Sequence, residues 1–222
     1  MSLTIYGMAA SRAVRPLWAA TELGLHFEHI PLNYQSGATR TPAFLAINPN
    51  GHIPVVVDKR AGEEGEEGGE VVVWESMAGA LYIARHHGQA DGLSIAPASP
   101  REDAEALRWS FWTVNECESD ALAVLMHRLV MPPERRKPEL AEAAERRLAV
   151  PLRVIEQHLA AQQARGQAHL AAARFTVADL CVASVLNWAR PARALMQAHP
   201  LTLDWIARCI GRPAHQAVKA AG

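Results

Sequence analysis

Three short segments set polar side chains beside glycine or proline, where a chain turns and can present groups for chemistry. The first is Gly7-Met8-Ala9-Ala10-Ser11-Arg12, between a β-prone run and a helix-prone one. A hydroxyl or cation at a helix N-terminus either caps the helix or meets an anion held there. Ser11 and Arg12 are the candidates. No His or Asp neighbours Ser11 in sequence, so no nucleophilic triad can be read. The second segment is Asn48-Pro49-Asn50-Gly51-His52-Ile53-Pro54-Val55-Val56. Pro49 and Gly51 read as a turn, with a strand starting near Ile53. Proline at a strand's first residue is tolerated although it removes a donor. An X-Pro bond in a tight turn is a candidate for cis. Ordinary trans and cis both stand here; in the cis case the Ile53 backbone would face an extended peptide ligand. The third segment is Trp74-Glu75-Ser76, at a strand-to-helix junction. Ser76 is a candidate N-cap. Free N–H groups there attract a carboxylate, and Glu75 can hold an ammonium group. That junction is either a plain cap or a grip on both charges of an α-amino acid.

Other groups read as structural. Thr176-Val177-Ala178-Asp179 is a capping box with Asp in place of Glu, and Phe175 and Leu180 stand where a hydrophobic staple would. His86 and His87 are adjacent and diverge around a helix, so no metal site is expected. Cys117, Cys181 and Cys209 form no Cys-x-x-Cys motif, which speaks against a zinc site or a disulfide framework and for a reducing, cytoplasmic setting.

The elements that must position these groups differ along the chain. Leu3–Tyr6 is β-prone, Ser11–Leu23 helical, Phe27–Leu32 a second strand, and Pro42–Ile47 a short helix. Ile53–Asp58 and Val71–Trp74 are rich in β-branched residues and read as a hairpin; Met77–His87 reads as a helix stopped by Gly88. The order is βαβ-α-ββα. The hairpin connection, residues 59–70, is dominated by Glu and Gly and reads as a solvated insertion. Residues 88–100 read as a linker. Beyond it every segment reads as helix: Arg101–Val130, Glu139–Gln163 with Pro151 as a candidate kink, Val177–Arg190, Leu201–Ile210 and Pro213–Lys219.

Composition narrows the classes. The 222 residues allow one large domain or two small ones, and half are hydrophobic. A net charge of −1 argues against nucleic-acid binding through bulk positive charge. No run of 18 apolar residues occurs, so no membrane span is expected, and the N-terminus lacks the basic and apolar regions of a signal peptide.

Together these segments resemble the soluble, cytosolic-type glutathione S-transferases, the bacterial members best. The resemblance runs from LTIYG and SRAVRPLWAATELGLHFE through FLAINPNGHIPVVV and VVVWESMAGALYIARHHG to FTVADLCVASVLNWA. Each piece is weak alone; their order and separations are specific. The resemblance implies an α/β, thioredoxin-like glutathione-binding domain over residues 1–88, a linker over 89–100, and an all-helical domain over 101–222 that contributes the electrophile site. It implies a cis Ile53-Pro54 bond whose backbone pairs with the cysteinyl part of glutathione, with His52 nearby. Glu75 and Ser76 would hold the γ-glutamyl end. Met8, Trp112 and Asn115 would line the electrophile site. A homodimer is implied, with glutathione as co-substrate and no metal.

One departure concerns the sulfur. Counting back from Arg15 and Gly24, the family's hydroxyl position falls on Ala10, with Ser11 immediately after it. Either Ser11 takes the role, or backbone N–H groups and Arg12 do. No cysteine stands in the turn, which argues against redox-active relatives. The expected activity is conjugation of the glutathione thiolate to small hydrophobic electrophiles. Glutathione-dependent isomerisation or dehalogenation on the same fold, and a non-catalytic glutathione- or protein-binding module, are the alternatives.

Overall fold

A computed structural model of the chain describes residues 2–59, 69–88 and 94–221. Most of the acidic 59–70 segment and part of the expected linker therefore lie outside the described residues. The chain forms two compact units, Met1–Ala96 with Pro213–Gly222, and Pro97–Arg212.

The first unit is built on four strands, β1 (Ser2–Tyr6), β2 (Phe27–Ile30), β3 (Val55–Lys59) and β4 (Glu70–Trp74), in the order β2-β1-β3-β4. β1 and β2 are parallel; β3 runs antiparallel to β1 and to β4. Three consecutive valines open β3 because both of its faces are covered. Val55 and Val57 pack with Phe44 of helix α2 (Pro42–Ile47) on one face. Val56 lies 3.0 Å from the position of a Cβ built on Gly79, in α3 (Ser76–His87), on the other. Helix α1 (Val14–Glu22) packs against α3 and buries Leu17, Trp18, Ala19 and Ala20.

The second unit is helical. α4 (Pro100–Thr113) and α5 (Ser119–Leu125) are joined and followed by two π-helical stretches, Val114–Glu118 and Met126–Val130. α6 (Pro138–Gln163) runs unbroken through Pro151. α7 (Val177–Leu186) is buried along its whole length. The short helix α8 (Arg193–Gln197) precedes α9 (Pro200–Ile210). The capping box at α7 is present in full. Asp179 Oδ2 accepts from the Thr176 N–H at 3.0 Å, and Oδ1 accepts from the Leu170 N–H at 2.9 Å and Trp205 Nε1 at 3.0 Å. Glu156 of α6 caps α9 by accepting from the N–H groups of Leu201 and Thr202 at 3.0 and 2.8 Å.

Several boundaries differ from the sequence reading. The last helix, α10 (Pro213–Ala220), packs on α1, with the His215 ring 4.6 Å from that of Trp18. Residues 213–222 thus belong to the first compact unit, not to the helical one. α1 starts at Val14, not Ser11, because residues 8–14 close two successive tight turns first. Ser76 is the first helical residue of α3; the cap position is Glu75. Among the described residues no helix is long and apolar enough to cross a membrane.

Candidate functional site

The strand register brings the three turn segments to one end of the sheet. Tyr6, the last residue of β1, pairs with Ile30 and Val55, and Val55 pairs with Trp74. One residue beyond this row lie Gly7, Pro54 and Glu75. The chain makes these neighbours from positions 21 to 68 residues apart.

The first turn is tight. A Cβ on Gly7, whose φ is +132°, would stand 2.8 Å from Ala13 Cβ and 3.2 Å from Ile53 Cβ, so only glycine admits this approach. The Gly7 N–H donates to the Ile30 carbonyl at 2.9 Å, and His29 Nε2 lies 2.8 Å from the Gly7 carbonyl oxygen, to which it donates. The Ser11 N–H and hydroxyl both donate to the Met8 carbonyl, at 3.0 and 2.7 Å. The Ala13 N–H donates to Ser11 Oγ at 3.1 Å. Ser11 therefore holds the turn that leads into α1 and does not cap the helix itself. Met8 is half-buried beside it, and Arg12 is exposed.

The second segment is clamped by Asn48, which is 2 % exposed. Its Nδ2 donates to the His52 carbonyl at 2.8 Å, and its Oδ1 accepts from the Asn50 N–H at 3.0 Å. The Gly51 N–H donates to the Asn48 carbonyl at 2.9 Å. The Ile53-Pro54 bond is cis. Pro54 is buried, Ile53 half-buried and His52 exposed.

At the third segment Glu75 has φ +72° and ψ +120°, the one positive φ outside glycine among the described residues. Such a conformation costs about 1–3 kcal/mol, and the Glu75 side chain is exposed. Ser76, 5 % exposed, accepts on Oγ from Arg15 Nη1 at 2.7 Å. No acidic residue occupies the first turn of α3. Its leading N–H groups and positive end therefore suit an anion.

Arg15, Asn48 and His29 support the site without having a role legible in their local sequence. A lone arginine among apolar helix residues was the available signal for Arg15: it is 1 % exposed and must find partners. Asn48, three residues before Gly51, was the signal for the loop clamp. Of the residues expected to meet an electrophile, Trp112 and Asn115 lie in the second unit. Trp112 is half-buried with its ring 5.0 Å from that of Trp109, and Asn115 is exposed within the first π-helical stretch.

The model of the glutathione S-transferase N-terminal domain matches residues 1–85, and that of the C-terminal domain matches residues 119–213. The chain belongs to the glutathione S-transferase family. It is 33% identical to glutathione S-transferase 3 of Zea mays, over 99% of this chain and 94% of the maize protein. Among solved structures it is similar to a glutathione S-transferase III in apo form, with 30% identity, TM-score 0.76, and coverage of 100% of this chain and 97% of the other. It is also similar to a theta class glutathione S-transferase from Xanthomonas axonopodis pv. citri with glutathione bound, at 27% identity and TM-score 0.76, over 97% and 95% of the two chains. The four-stranded sheet flanked by helices, followed by a helical unit, is the architecture of this transferase family, as the sequence resemblance implied. Its similarity to plant proteins as well as bacterial ones leaves the bacterial likeness as one branch among several.

Proposed function

We propose that this glutathione S-transferase conjugates the glutathione thiolate to small hydrophobic electrophiles. The observation that carries the reading is the gathering of the Gly7–Ser11 turn, Ile53-Pro54 and Glu75-Ser76 at one end of the sheet. In this reading the first unit binds glutathione. Ile53 and Pro54 present backbone to its cysteinyl part, with His52 alongside. Glu75 takes the γ-glutamyl ammonium and Ser76 the carboxylate.

An unperturbed thiol has a pKa of about 8.5, so about 3 % is ionised at pH 7. The thiolate is the nucleophile. The positive start of α1 and one hydroxyl donor lower that pKa by roughly 2 units. Ser11 is the proposed donor. To serve, its hydroxyl trades the Met8 carbonyl for the sulfur. The trade leaves nothing orphaned, because Met8 keeps the Ser11 N–H. It gains a charge-assisted bond for a neutral one. The Ala13 N–H on Ser11 Oγ meanwhile polarises the hydroxyl toward donation. Arg12 adds positive charge beside the turn. With an aryl halide, the sulfur lone pair forms the S–C bond, and halide leaves with the pair that bound it to carbon. The proton of the thiol goes to solvent. Met8, Trp112 and Asn115 are assigned to the electrophile on the family resemblance alone.

The test is turnover of a reactive aryl halide with and without glutathione. Glutathione-dependent release of halide is the expected result; its absence over a panel of electrophiles contradicts the reading. A second reading, glutathione binding without turnover, draws on one observation: the Ser11 proton already has an acceptor in Met8. On the same family grounds the protein is a cytoplasmic homodimer, which light scattering at micromolar concentration checks; a single monomeric mass contradicts it.

A further inference from the structure

We propose that Arg15 is a positioning residue that makes the Ser76 subsite selective for a carboxylate. The inference rests on the glutathione reading above. Arg15 lies on α1 and Ser76 opens α3, 61 residues later. Their side chains meet at 2.7 Å with both residues buried. Gly79 lies one turn into α3, where that helix packs on α1 and on β3. A Cβ there would stand 3.5 Å from Cβ of Pro16, the residue after Arg15, and 3.0 Å from Val56 Cγ2.

The consequence follows from hydrogen-bond inventory. A hydroxyl has one proton and two lone pairs, whereas a guanidinium can only donate. With one lone pair of Ser76 taken by Arg15, the hydroxyl proton points away from the guanidinium. A ligand group that meets this proton must be an acceptor. The adjacent first-turn N–H groups of α3 also only donate. A permanently charged guanidinium sits one hydrogen bond away in a water-poor setting, and its field favours an anion there over a neutral amide. Arg15 thus converts a hydroxyl, which by itself accepts or donates with little preference, into a fixed donor beside positive charge. The discriminating feature of the substrate is the α-carboxylate of the γ-glutamyl group. Arg15 has no need to touch it.

The test compares glutathione with its analogue lacking that α-carboxylate, γ-aminobutyryl-cysteinylglycine, by titration calorimetry on the full chain. The wild-type protein is expected to bind glutathione at least tenfold more tightly than the analogue. Arg15→Met is expected to bind glutathione roughly tenfold more weakly and to narrow the preference to about twofold. Arg15→Lys retains charge without the fork and should fall between the two. If Arg15→Met does not fold by circular dichroism, Arg15→Lys carries the test in two backgrounds. It should weaken glutathione binding several-fold with Ser76 intact and have no further effect in Ser76→Ala, because the two residues act as one unit. A merely structural Arg15 would lower affinity for both ligands equally and leave their ratio unchanged. That outcome, or full additivity with Ser76→Ala, overturns the proposal while leaving glutathione binding in place. A wild-type protein that binds both ligands alike, or neither, overturns the glutathione reading and the proposal with it.

Discussion

Asn48 and His52 stand four residues apart, and the side-chain amide of one donates to the backbone carbonyl of the other at 2.8 Å. The same side chain accepts from the Asn50 N–H, so a single buried asparagine fixes the course of the chain into Ile53 and Pro54. Asn48→Ala removes these bonds and leaves backbone groups without partners. The expected cost is about 2 kcal/mol of stability, with glutathione binding weakened roughly tenfold as the loop loosens. Denaturant unfolding and calorimetry check the two effects. Unchanged glutathione affinity in a destabilised variant would separate the clamp from the site.

Ser11→Ala distinguishes a thiolate donor from a turn-holder. Both roles should be lost. The pKa of the bound thiol should rise by about a unit and turnover near pH 7 fall roughly tenfold. Stability should drop by about 1 kcal/mol, since the Met8 and Ala13 bonds go together. A pH–rate profile with an aryl halide reads the first effect and thermal unfolding the second. Lost stability with an unmoved profile assigns Ser11 to the turn alone.

Asp179 gathers backbone and side-chain donors from Leu170, Thr176 and Trp205 in the buried centre of the helical unit. Asp179→Ala leaves these donors unpaired and removes the cap of α7. A loss of about 3–5 kcal/mol is expected, enough to shift the protein toward insoluble or unfolded material. A melting temperature near that of the unsubstituted protein would contradict the assignment of Asp179 as the organising cap.

Burial pushes the Cys117 thiol from its ordinary 9.0 up to about 12. Cys181 and Cys209 are buried as well. None of the three should react with a thiol reagent in the native protein at pH 8, and all three should react after unfolding. The unfolded thiol ionises near 9.0 and the native one only near 12. The stabilising contribution of Cys117 is therefore full below pH 9 and is lost as pH rises toward 12. Fast labelling of Cys117 in folded protein is the contrary result.

The order of elements was legible because each has its own period and punctuation. The valines of β3 and β4, the Thr176–Asp179 box and the glycine after α3 identify their segments without tertiary knowledge. The candidate site was legible as three turns, and the register then showed them to be neighbours. What escaped was set by contacts distant in sequence. Ser76 looked like a cap because Ser before an apolar run usually is one, but Arg15 claims its oxygen. Ser11 looked like the start of α1, but its hydroxyl folds back to Met8 and delays the helix to Val14. The return of α10 to α1 leaves no local trace, because its apolar face suits either unit. The π-helical stretches add one residue to a turn, which the apolar spacing of residues 107–129 does not reveal.

Ionisation of bound glutathione is the step on which the proposed conjugation turns. The direct measurement is the ultraviolet difference spectrum of the protein–glutathione complex, followed in the thiolate band from acid to alkaline pH. The bound thiolate should titrate roughly 2 units below the free thiol's value of about 8.5, and lose about half of that shift in Ser11→Ala. A complex whose thiolate band rises only with the pH of free glutathione contradicts it.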